Sequence, residues 1–581
     1  MSEVEVEATK NDENEGKPEE FCRIKLANLP TAAKTAQLKK LLNSNLKEVG
    51  WKKLTVPPNT GIAYFSVGTA EEAEKASALL NGHTYKNHKI VAFTVADKAE
   101  VRPKRQDEPK QLKNVIEITT PLAHLTYDEQ IDVKFKDSTQ IAEKLIKQMA
   151  HARVPNARYI KAKKLLKPII RCDKTSKYRN KIECTIGLDE AGDPCVGFVS
   201  GRMAERKFVI VPVDRSTILT DKMQAIVCRF TDVVKESGLA PFEEFTREGF
   251  WKKLVVRDFA ASSMLIVTVH PLADEQQMAE VKRKVVETFG SGGQSPDLRV
   301  DSIYWQILEN ASDPCVYEHV DGAEHIHENL LGVRFRVSAQ SFFQTNSRGA
   351  ALLYTVIGDL MGLPKAVESA QSADGKPKEA DGKPKEAEAD ERMDVETSDG
   401  PKAGEEKPVA LLDICCGAGT IGQCLLERLR KNPATRRQYA VIGVELVKQA
   451  VEDARLNAKE NGFTKENCRY IEGPAEVVFR NLNDYVQYDL KMRDPELIGV
   501  LDPPRNGVSD KVIISCRRLE SMKRIIYVSC DPSAAIKNLV DLCRATSNKY
   551  EGEPFRLATI QPVDIFPYTT HIEWVVELRR D

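Results

Sequence analysis

The sequence predicts a multidomain protein in which α+β regions precede a doubly wound α/β domain. Its 581 residues exceed the size of one ordinary domain. After an acidic tail, apolar runs follow a β-α-β-β-α-β order, and later in the chain a strand leads through a glycine-rich turn into a helix. Hydrophobic residues make up 41% of the chain and charged residues 29%, a balance typical of domains with sizeable cores.

Charge is unevenly distributed although the net charge is only -1. Residues 1–20 hold eight acids and two lysines, and residues 366–408 hold a second acidic excess with a tandem ADGKPKE repeat. Such segments bury too little apolar surface to fold. We therefore predict an acidic disordered tail over 1–20 and a disordered insertion over 366–408, which leaves the rest of the chain basic.

Cysteine usage and hydropathy indicate the compartment. The chain has 13 cysteines and no secretory signal, which predicts reduced thiols in the cytosol or nucleus. No CxxC pair occurs, so we predict no metal site. No apolar run approaches the roughly 18 residues that span a bilayer, which predicts no membrane partner.

Residues 21–98 are predicted to form a compact α+β module. The strand segments Ile24–Leu29 and Gly61–Val67 resemble the two diagnostic strands of an RNA recognition motif. Lys25 stands where a stacking aromatic is usual, and Tyr64 is the remaining base platform, so both are candidate RNA-binding residues. The alternative is a ferredoxin-like module that binds protein, or RNA only weakly, because stacking normally carries the affinity.

A polar linker over 99–113 is predicted to lead into a middle α+β region, 114–335, that faces RNA. Between Lys144 and Lys181, thirteen basic residues stand against one acid. This local excess of one sign suits phosphate binding, with Lys163, Lys164 and Arg179 as candidate RNA-binding residues. A solvated helix face is the alternative.

The last region, 336–581, carries a nucleotide-site pattern. The apolar strand Val409–Leu412 runs into Asp413-Ile-Cys-Cys-Gly417-Ala-Gly419, and the next strand ends in Glu445. A glycine-rich turn lets a ligand approach the backbone, and the later acid suits ribose hydroxyls. The pattern resembles motif I of class I S-adenosylmethionine-dependent methyltransferases; a dinucleotide site and a ligand-free tight turn are the alternatives.

Two further strands are predicted to bring chemistry to the same crevice. One ends in Asp502-Pro-Pro-Arg505, and the next delivers Cys530, a thiol placed to act as a nucleophile. Between Thr569 and Leu578, apolar residues alternate so that Glu573 lies on the opposite strand face from Trp574. The alternatives are an inert buried cysteine and a solvated edge glutamate.

Together Asp502-Pro-Pro-Arg505, Val528-Ser-Cys530-Asp-Pro532 and His571-Ile-Glu573 resemble the signature of the RNA uracil-C5 methyltransferases. The resemblance implies a Rossmann-like domain, S-adenosylmethionine as cofactor, Cys530 as the nucleophile toward uracil C6 and Glu573 as the general base. It also implies a set of cofactor-site residues: Gln344, Asp413, Gly417, Gly419, Glu445 and Asp502.

The same resemblance implies a tRNA substrate, with the T-loop uridine at position 54 as the target. The four-cysteine iron-sulfur spacing of some rRNA-directed members is absent, which favours tRNA. Two alternatives remain: an RNA-binding or tRNA maturation factor with little catalysis, and methylation of another RNA. Intact Cys530, Glu573, Asp502 and Glu445 favour an enzyme, and the sequence leaves protein partners open.

Overall fold

A computed structural model describes residues 22–30, 35–56, 61–86, 88–95, 112–202, 207–293, 295–310, 313–365, 407–432 and 435–581. The chain divides into two compact units, residues 1–111 and 112–581. The predicted tail at 1–20, nearly all of the predicted linker and all but two residues of the predicted insertion lie outside the described residues. In the described part of the chain, no helix is both long and apolar enough to cross a bilayer.

The first unit contains the predicted α+β module. Its antiparallel sheet has the order β2-β3-β1-β6, and Leu38 and Leu42 from one helix and Leu80 from the other pack into its core. This is the ferredoxin-like arrangement that the sequence predicts. The elements are β1 (Cys22–Ala27), α1 (Thr35–Asn45), β2 (Trp51–Thr55), β3 (Ala63–Val67), α2 (Ala70–Leu80), β4 (Thr84–Tyr85), β5 (His88–Lys89) and β6 (Val91–Val95).

The second unit begins with helices that pack on its C-terminal sheet. Thr126 and Glu129 form a capping box that starts the longest helix, and the apolar stripe of that helix, including Leu145 and Met149, lies in the core of that sheet. The elements are α3 (Val115–Thr119), α4 (Tyr127–His151), α5 (Ala162–Leu165) and β7 (Ile170–Arg171).

A seven-stranded sheet follows, in the order β10-β9-β8-β11-β12-β13-β14, with Phe230, Trp251 and Trp305 in its core. A hairpin of β15 with β16 comes after it. The elements are β8 (Lys181–Leu188), β9 (Pro194–Arg202), β10 (Lys207–Pro212), α6 (Asp221–Ser237), β11 (Trp251–Asp258), β12 (Ser263–Val269), α7 (Glu275–Phe289), β13 (Ser302–Ile307), β14 (Glu318–Gly322), β15 (Ile326–Leu330) and β16 (Val333–Val337).

An eight-stranded sheet with helices on both faces completes the unit, in the order β19-β18-β17-β20-β21-β23-β22-β7. Its first five strands are parallel, β23 and β22 form an antiparallel pair, and β7 lies parallel to β22. The elements are α8 (Ser347–Leu360), β17 (Val409–Ile414), α9 (Thr420–Arg430), β18 (Tyr439–Glu445), α10 (Lys448–Glu460), β19 (Cys468–Glu472), α11 (Ala475–Val478), α12 (Leu482–Asp484), β20 (Glu496–Leu501), α13 (Asp510–Arg518), β21 (Met522–Ser529), α14 (Pro532–Cys543), β22 (Arg556–Asp564) and β23 (Glu573–Arg579).

Chain order reverses in this sheet between β17 and β20, which places a crevice beyond the carboxyl ends of these strands, as the doubly wound prediction requires. The structure divides the predicted middle region, 114–335, differently. Residues 127–171 belong to the eight-stranded sheet and its helices, whereas 181–322 form the separate seven-stranded sheet, which α3 contacts through β9. The apolar stripe of α4 explains the difference, because it is buried against the C-terminal core.

Candidate active site

The turn after β17 is shaped for close approach of a ligand. Gly417 and Gly419 have φ of 53° and 76°, a backbone region that favours glycine. A Cβ added to Gly419 would lie 2.4 Å from the hydroxyl oxygen of Tyr470, which is too close for van der Waals contact. A Cβ added to Gly417 would have no atom within 4 Å. The turn is therefore packed behind Gly419 and open in front of Gly417.

Three acids predicted for the cofactor site lie together at this turn. Glu445 Oε2 accepts a hydrogen bond from the Gly417 amide at 3.1 Å. Asp413 is buried; its Oδ2 accepts from the Gly422 amide at 3.1 Å, and among the described residues its Oδ1 has no partner. Burial, followed by the charges of Asp502 and Glu445, raises the pKa of Asp413 to about 7, and burial raises the pKa of Asp502 to about 6.

Gln344, the remaining predicted cofactor residue, lies half-buried in the segment before α8. Asn180 holds this segment with two hydrogen bonds. Its side-chain Nδ2 donates to the Gln344 carbonyl at 3.0 Å, and its backbone N–H donates to the Thr345 carbonyl at 2.8 Å. Asn346 caps α8 and donates to the Ile565 carbonyl at 2.8 Å. These bonds join the Gln344 segment to the β22–β23 connection.

Cys530 and Glu573 lie on adjacent antiparallel strands. Ser529 pairs with Trp574 across β21 and β23, and Cys530 and Glu573 each lie one residue beyond this pair. Glu573 is 3% exposed and its strand lies inside the sheet, so the alternative of a solvated edge glutamate is wrong. Trp574 and Val575 belong to the cores on opposite faces of the sheet, which confirms the predicted alternation.

Burial and nearby negative charge favour the neutral form of both groups. Burial, the charge of Glu573 and, more weakly, that of Asp502 raise the pKa of the Cys530 thiol, while a hydrogen bond from Arg505 and its charge lower it. Burial and Asp502 raise the pKa of Glu573 to about 8, against the opposing charge of Arg505. Arg505 is thus the cation that favours ionisation of both groups.

The loop that carries Arg505 is fastened to the helix that follows Cys530. Asn538 of α14 accepts a hydrogen bond from the Val508 amide at 2.9 Å and donates to the Val508 carbonyl at 3.0 Å. Its Oδ1 also accepts from the hydroxyl of Tyr527 at 3.0 Å, on the strand that leads to Cys530. Asn538 therefore fixes Arg505's loop relative to the thiol.

Arg179, predicted as an RNA-binding residue, lies at this site. It is half-buried, its Nε donates to the Lys181 carbonyl at 2.9 Å, and burial, together with the charge of Arg505, lowers its pKa. Burial and the positive charges of Arg505, Lys134 and Arg179 lower the pKa of His571. Arg179 therefore adds positive charge that acts together with Arg505 on His571, two residues before Glu573.

The other predicted RNA-binding residues occupy two surfaces. On the sheet of the first unit, Lys25 pairs with Tyr64 on one side and with Phe93 on the other, so the three share one face. Phe93 is 43% exposed, and the Lys25 ammonium lies 5.5 Å from the centre of its ring. In the second unit, Lys163 and Lys164 are exposed on α5.

Sequence reasoning missed Phe93, Asn538 and Asn346. Alternation of buried and exposed positions around Ala92 could have indicated the outward face for Phe93. Asn346 precedes a helix, a position where asparagine is a common cap. No local pattern marks Asn538, because its partner Val508 lies 30 residues away in the sequence.

Comparisons with known proteins agree with this geometry. A family model described as tRNA (Uracil-5-)-methyltransferase matches residues 401–581. Human tRNA (uracil-5-)-methyltransferase homolog A is 30% identical over 97% of this chain and 83% of its own length. Homolog B from Pongo abelii is 29% identical over 84% of this chain and 92% of its own length.

A solved structure shares the fold. The crystal structure of Pyrococcus abyssi tRNA (uracil-54, C5)-methyltransferase in complex with S-adenosyl-L-homocysteine matches with a TM-score of 0.50 and 19% identity. The match covers 85% of this chain and 90% of that chain. Because the family model, the sequence relatives and the shared fold agree, the chain belongs to the tRNA (uracil-5-)-methyltransferase family of S-adenosylmethionine-dependent enzymes.

Proposed function

We propose that this protein methylates C5 of the T-loop uridine of tRNA through a covalent bond from Cys530 to the base. The observation that carries the proposal is the meeting of Cys530 and Glu573 beside Arg505, at the end of β21 and the start of β23. The T-loop position is supported by the shared fold with the enzyme named for uracil-54. We further propose a location in the cytosol or nucleus, where its 13 free cysteines stay reduced.

Cys530 supplies the thiolate that activates the uracil base. Uracil C5 is too weak a nucleophile to take a methyl group directly, and addition of a thiolate to C6 places electron density at C5. Arg505 lowers the pKa of the Cys530 thiol, and α14 begins two residues after Cys530. The guanidinium and the amide dipoles of the helix therefore both favour the thiolate.

Glu573 completes the reaction as the general base. Once C5 carries both the methyl group and its original hydrogen, the carboxylate removes that hydrogen as a proton. The electron pair restores the C5–C6 double bond, the C6–S bond breaks, and Cys530 leaves as thiolate. A pKa of about 8 makes the ionised carboxylate a much stronger base than an ordinary glutamate.

The residues around the glycine-rich turn suit the cofactor. We assign Asp413, Gly417, Gly419 and Glu445 to its binding, because the unpartnered Asp413 oxygen and the open space before Gly417 fit a polar ligand close to the backbone. Gln344 and Asp502 complete the set from the two flanking segments. When bound, S-adenosylmethionine supplies an electrophilic methyl group on a sulfonium sulfur.

Two surfaces suit the RNA. Tyr64 and Phe93 offer rings for base stacking, with Lys25 between them for phosphate contact. Lys163 and Lys164 belong to a stretch of exposed basic residues that suits the tRNA backbone. Arg179 adds charge where the target base must be extruded to reach Cys530.

The test is nucleoside mass spectrometry on an unmodified tRNA transcript incubated with the protein and methyl-labelled S-adenosylmethionine. Labelled 5-methyluridine is expected with the native protein and none with Cys530→Ala, because the variant cannot activate C5. A transcript with cytidine in place of the T-loop uridine is the matched control and is expected to stay unlabelled.

Other outcomes would redirect the assignment. Label on the control transcript would contradict the T-loop target, and product from Cys530→Ala would contradict the covalent route. No product on any tRNA would favour another RNA substrate or a binding and maturation role.

A further inference from the structure

The connection between β22 and β23 leads directly into Glu573, and its backbone is held from several sides. The hydroxyl of Tyr178 donates to the Pro567 carbonyl at 2.9 Å, and the Leu122 amide donates to the Tyr568 carbonyl at 2.9 Å. Asn346 holds the Ile565 carbonyl, as described above. The path of the chain toward the proposed base is therefore set by residues outside the two strands.

Helix α4 contributes a row of buried polar side chains to the same connection. Gln130, Lys134 and Ser138 are spaced four residues apart, so they lie on one face of the helix, and each is at most 1% exposed. Gln130 Oε1 accepts from the Tyr568 amide at 2.8 Å. Ser138 Oγ accepts from Trp574 Nε1 at 3.3 Å, one residue beyond Glu573.

Lys134 makes the central contacts of this row. Its ammonium donates to Asp564 Oδ1 at 2.7 Å and to the Phe566 carbonyl at 2.9 Å, and Asp564 Oδ1 also accepts from the Phe566 amide at 3.1 Å. Burial lowers the pKa of Lys134, and the charge of Asp564 opposes that shift. The pair fixes the first turn of the connection.

Stability alone does not account for a buried ion pair at this place. Removing two charges from water costs about as much as their attraction returns, so well-packed apolar side chains would serve the core as well or better. The rest of the buried face of α4, with Ile131, Leu145 and Met149, is apolar in this way. What the ion pair adds is a single conformation for the chain that it holds.

We propose that Lys134 is a positioning residue for the general base, acting with Gln130 and Ser138 through the β22–β23 connection. The inference rests on the proposed role of Glu573 in proton removal. On this assignment α4 affects proton removal from C5, which releases the product. The addition of Cys530 to uracil C6 is largely independent of this helix.

Lys134→Met tests this assignment, because methionine keeps the length of the side chain and removes its donors. Labelled cofactor and tRNA are followed on a denaturing gel, which resolves the methylated protein–RNA adduct. Breakdown of the adduct is expected to slow by about 10- to 100-fold, because small displacements of a catalytic group carry penalties of that order. Adduct formation is expected to change by less than about threefold, since the side-chain hydrogen bonds described for Lys134 reach the β22–β23 connection and not the Cys530 segment.

Gln130→Met and Arg517→Met distinguish a positioning role of Lys134 from a general loss of stability. Gln130→Met, which leaves no buried charge unpaired, should also make the adduct persist. Arg517→Met is the matched control, because Arg517 is a fully buried cation that donates to the Asp541 and Gly552 carbonyls, away from the β22–β23 connection. It should affect formation and breakdown alike, through lost stability.

Glu573→Gln distinguishes the positioning role of α4 from the proposed role of Glu573 as the base. Adduct that persists in Glu573→Gln and in both α4 variants supports the positioning role. Persistence in Glu573→Gln alone, or equal loss of both steps in Lys134→Met and Arg517→Met, overturns it. Absence of adduct in Glu573→Gln, with active native protein, would instead overturn the proposed base.

Discussion

At the scale of a single residue, the environment that suits Glu573 to its proposed role as general base also costs the fold stability. The residue is 3% exposed, and burial together with the negative charge of Asp502 raises its pKa to about 8. An unfolded chain would ionise the same group near its ordinary pKa of 4.5. Between these two values the folded state keeps a proton that the unfolded state has lost.

The raised pKa of Glu573 makes the folded state less stable as pH rises. Because the pKa of Glu573 is raised on folding, the native state is penalised as pH rises from about 4.5 to about 8. Glu573→Gln removes that penalty, so the variant should gain on the order of 4 kcal/mol in free energy of unfolding over the native protein at pH 8 and almost none at pH 4.5. Urea denaturation of both proteins across this range measures the difference.

A neighbouring glutamate serves as the control. Glu577 is also buried on β23, but it accepts a hydrogen bond from Arg579 at 2.6 Å. Glu577→Gln should therefore lower stability at pH 8, the opposite sign. Parallel stability curves for Glu573→Gln and the native protein would contradict the raised pKa.

At the scale of elements, the site depends on hydrogen bonds between α14 and the loop after β20. Asn538 joins α14 to the loop that carries Arg505, and Gly507 in that loop has φ of 72° with no room for a Cβ against the Asn538 side chain. The thiol and its cation thus belong to one assembly built from β21, α14 and the loop after β20.

Asn538→Leu should release that loop while leaving the cofactor turn intact. We expect kcat to fall by roughly 10-fold or more, because a mobile Arg505 no longer lowers the pKa of the thiol, with cofactor affinity changed by less than about twofold. Single-turnover methylation and calorimetric cofactor binding give the two quantities. Asn461 makes the same pair of bonds to Arg334, at 2.9 and 2.8 Å, so Asn461→Leu is the matched control and should spare kcat.

How much of this could be predicted differs between the elements. The placement of Cys530 and Glu573 at the same end of the sheet could be predicted, because strand alternation and short motifs mark both positions in the sequence. Lys134 was not, since a lysine in a polar helix indicates a solvated face and its partner Asp564 is 430 residues away. Arg179 was predicted as part of a basic surface, and only the fold brings it beside Arg505.

For the whole molecule, RNA affinity and chemistry should be separable. The first unit holds the Tyr64 and Phe93 face, and the second holds every residue proposed for catalysis. Deletion of residues 1–111 should weaken tRNA binding by about 10-fold or more, since stacking contributes roughly 1–3 kcal/mol per base, and should change the single-turnover rate at saturating tRNA by less than about threefold.

Filter binding and single-turnover assays on the full chain and the deletion measure the two effects. The double variant Tyr64→Ala with Phe93→Ala should reproduce the loss of affinity without removing the unit. Unchanged affinity in the deletion would assign the first unit a protein-binding role instead.

The pairing of Lys134 with Asp564 also orders events during synthesis. At about 5–20 residues per second, a ribosome that has made Lys134 needs roughly 20–90 s to reach Asp564, 430 residues later. Throughout that interval the nascent α4 has a lysine that it cannot bury. The buried polar face of α4 can therefore complete its packing on the β22–β23 connection only after Asp564 has been made.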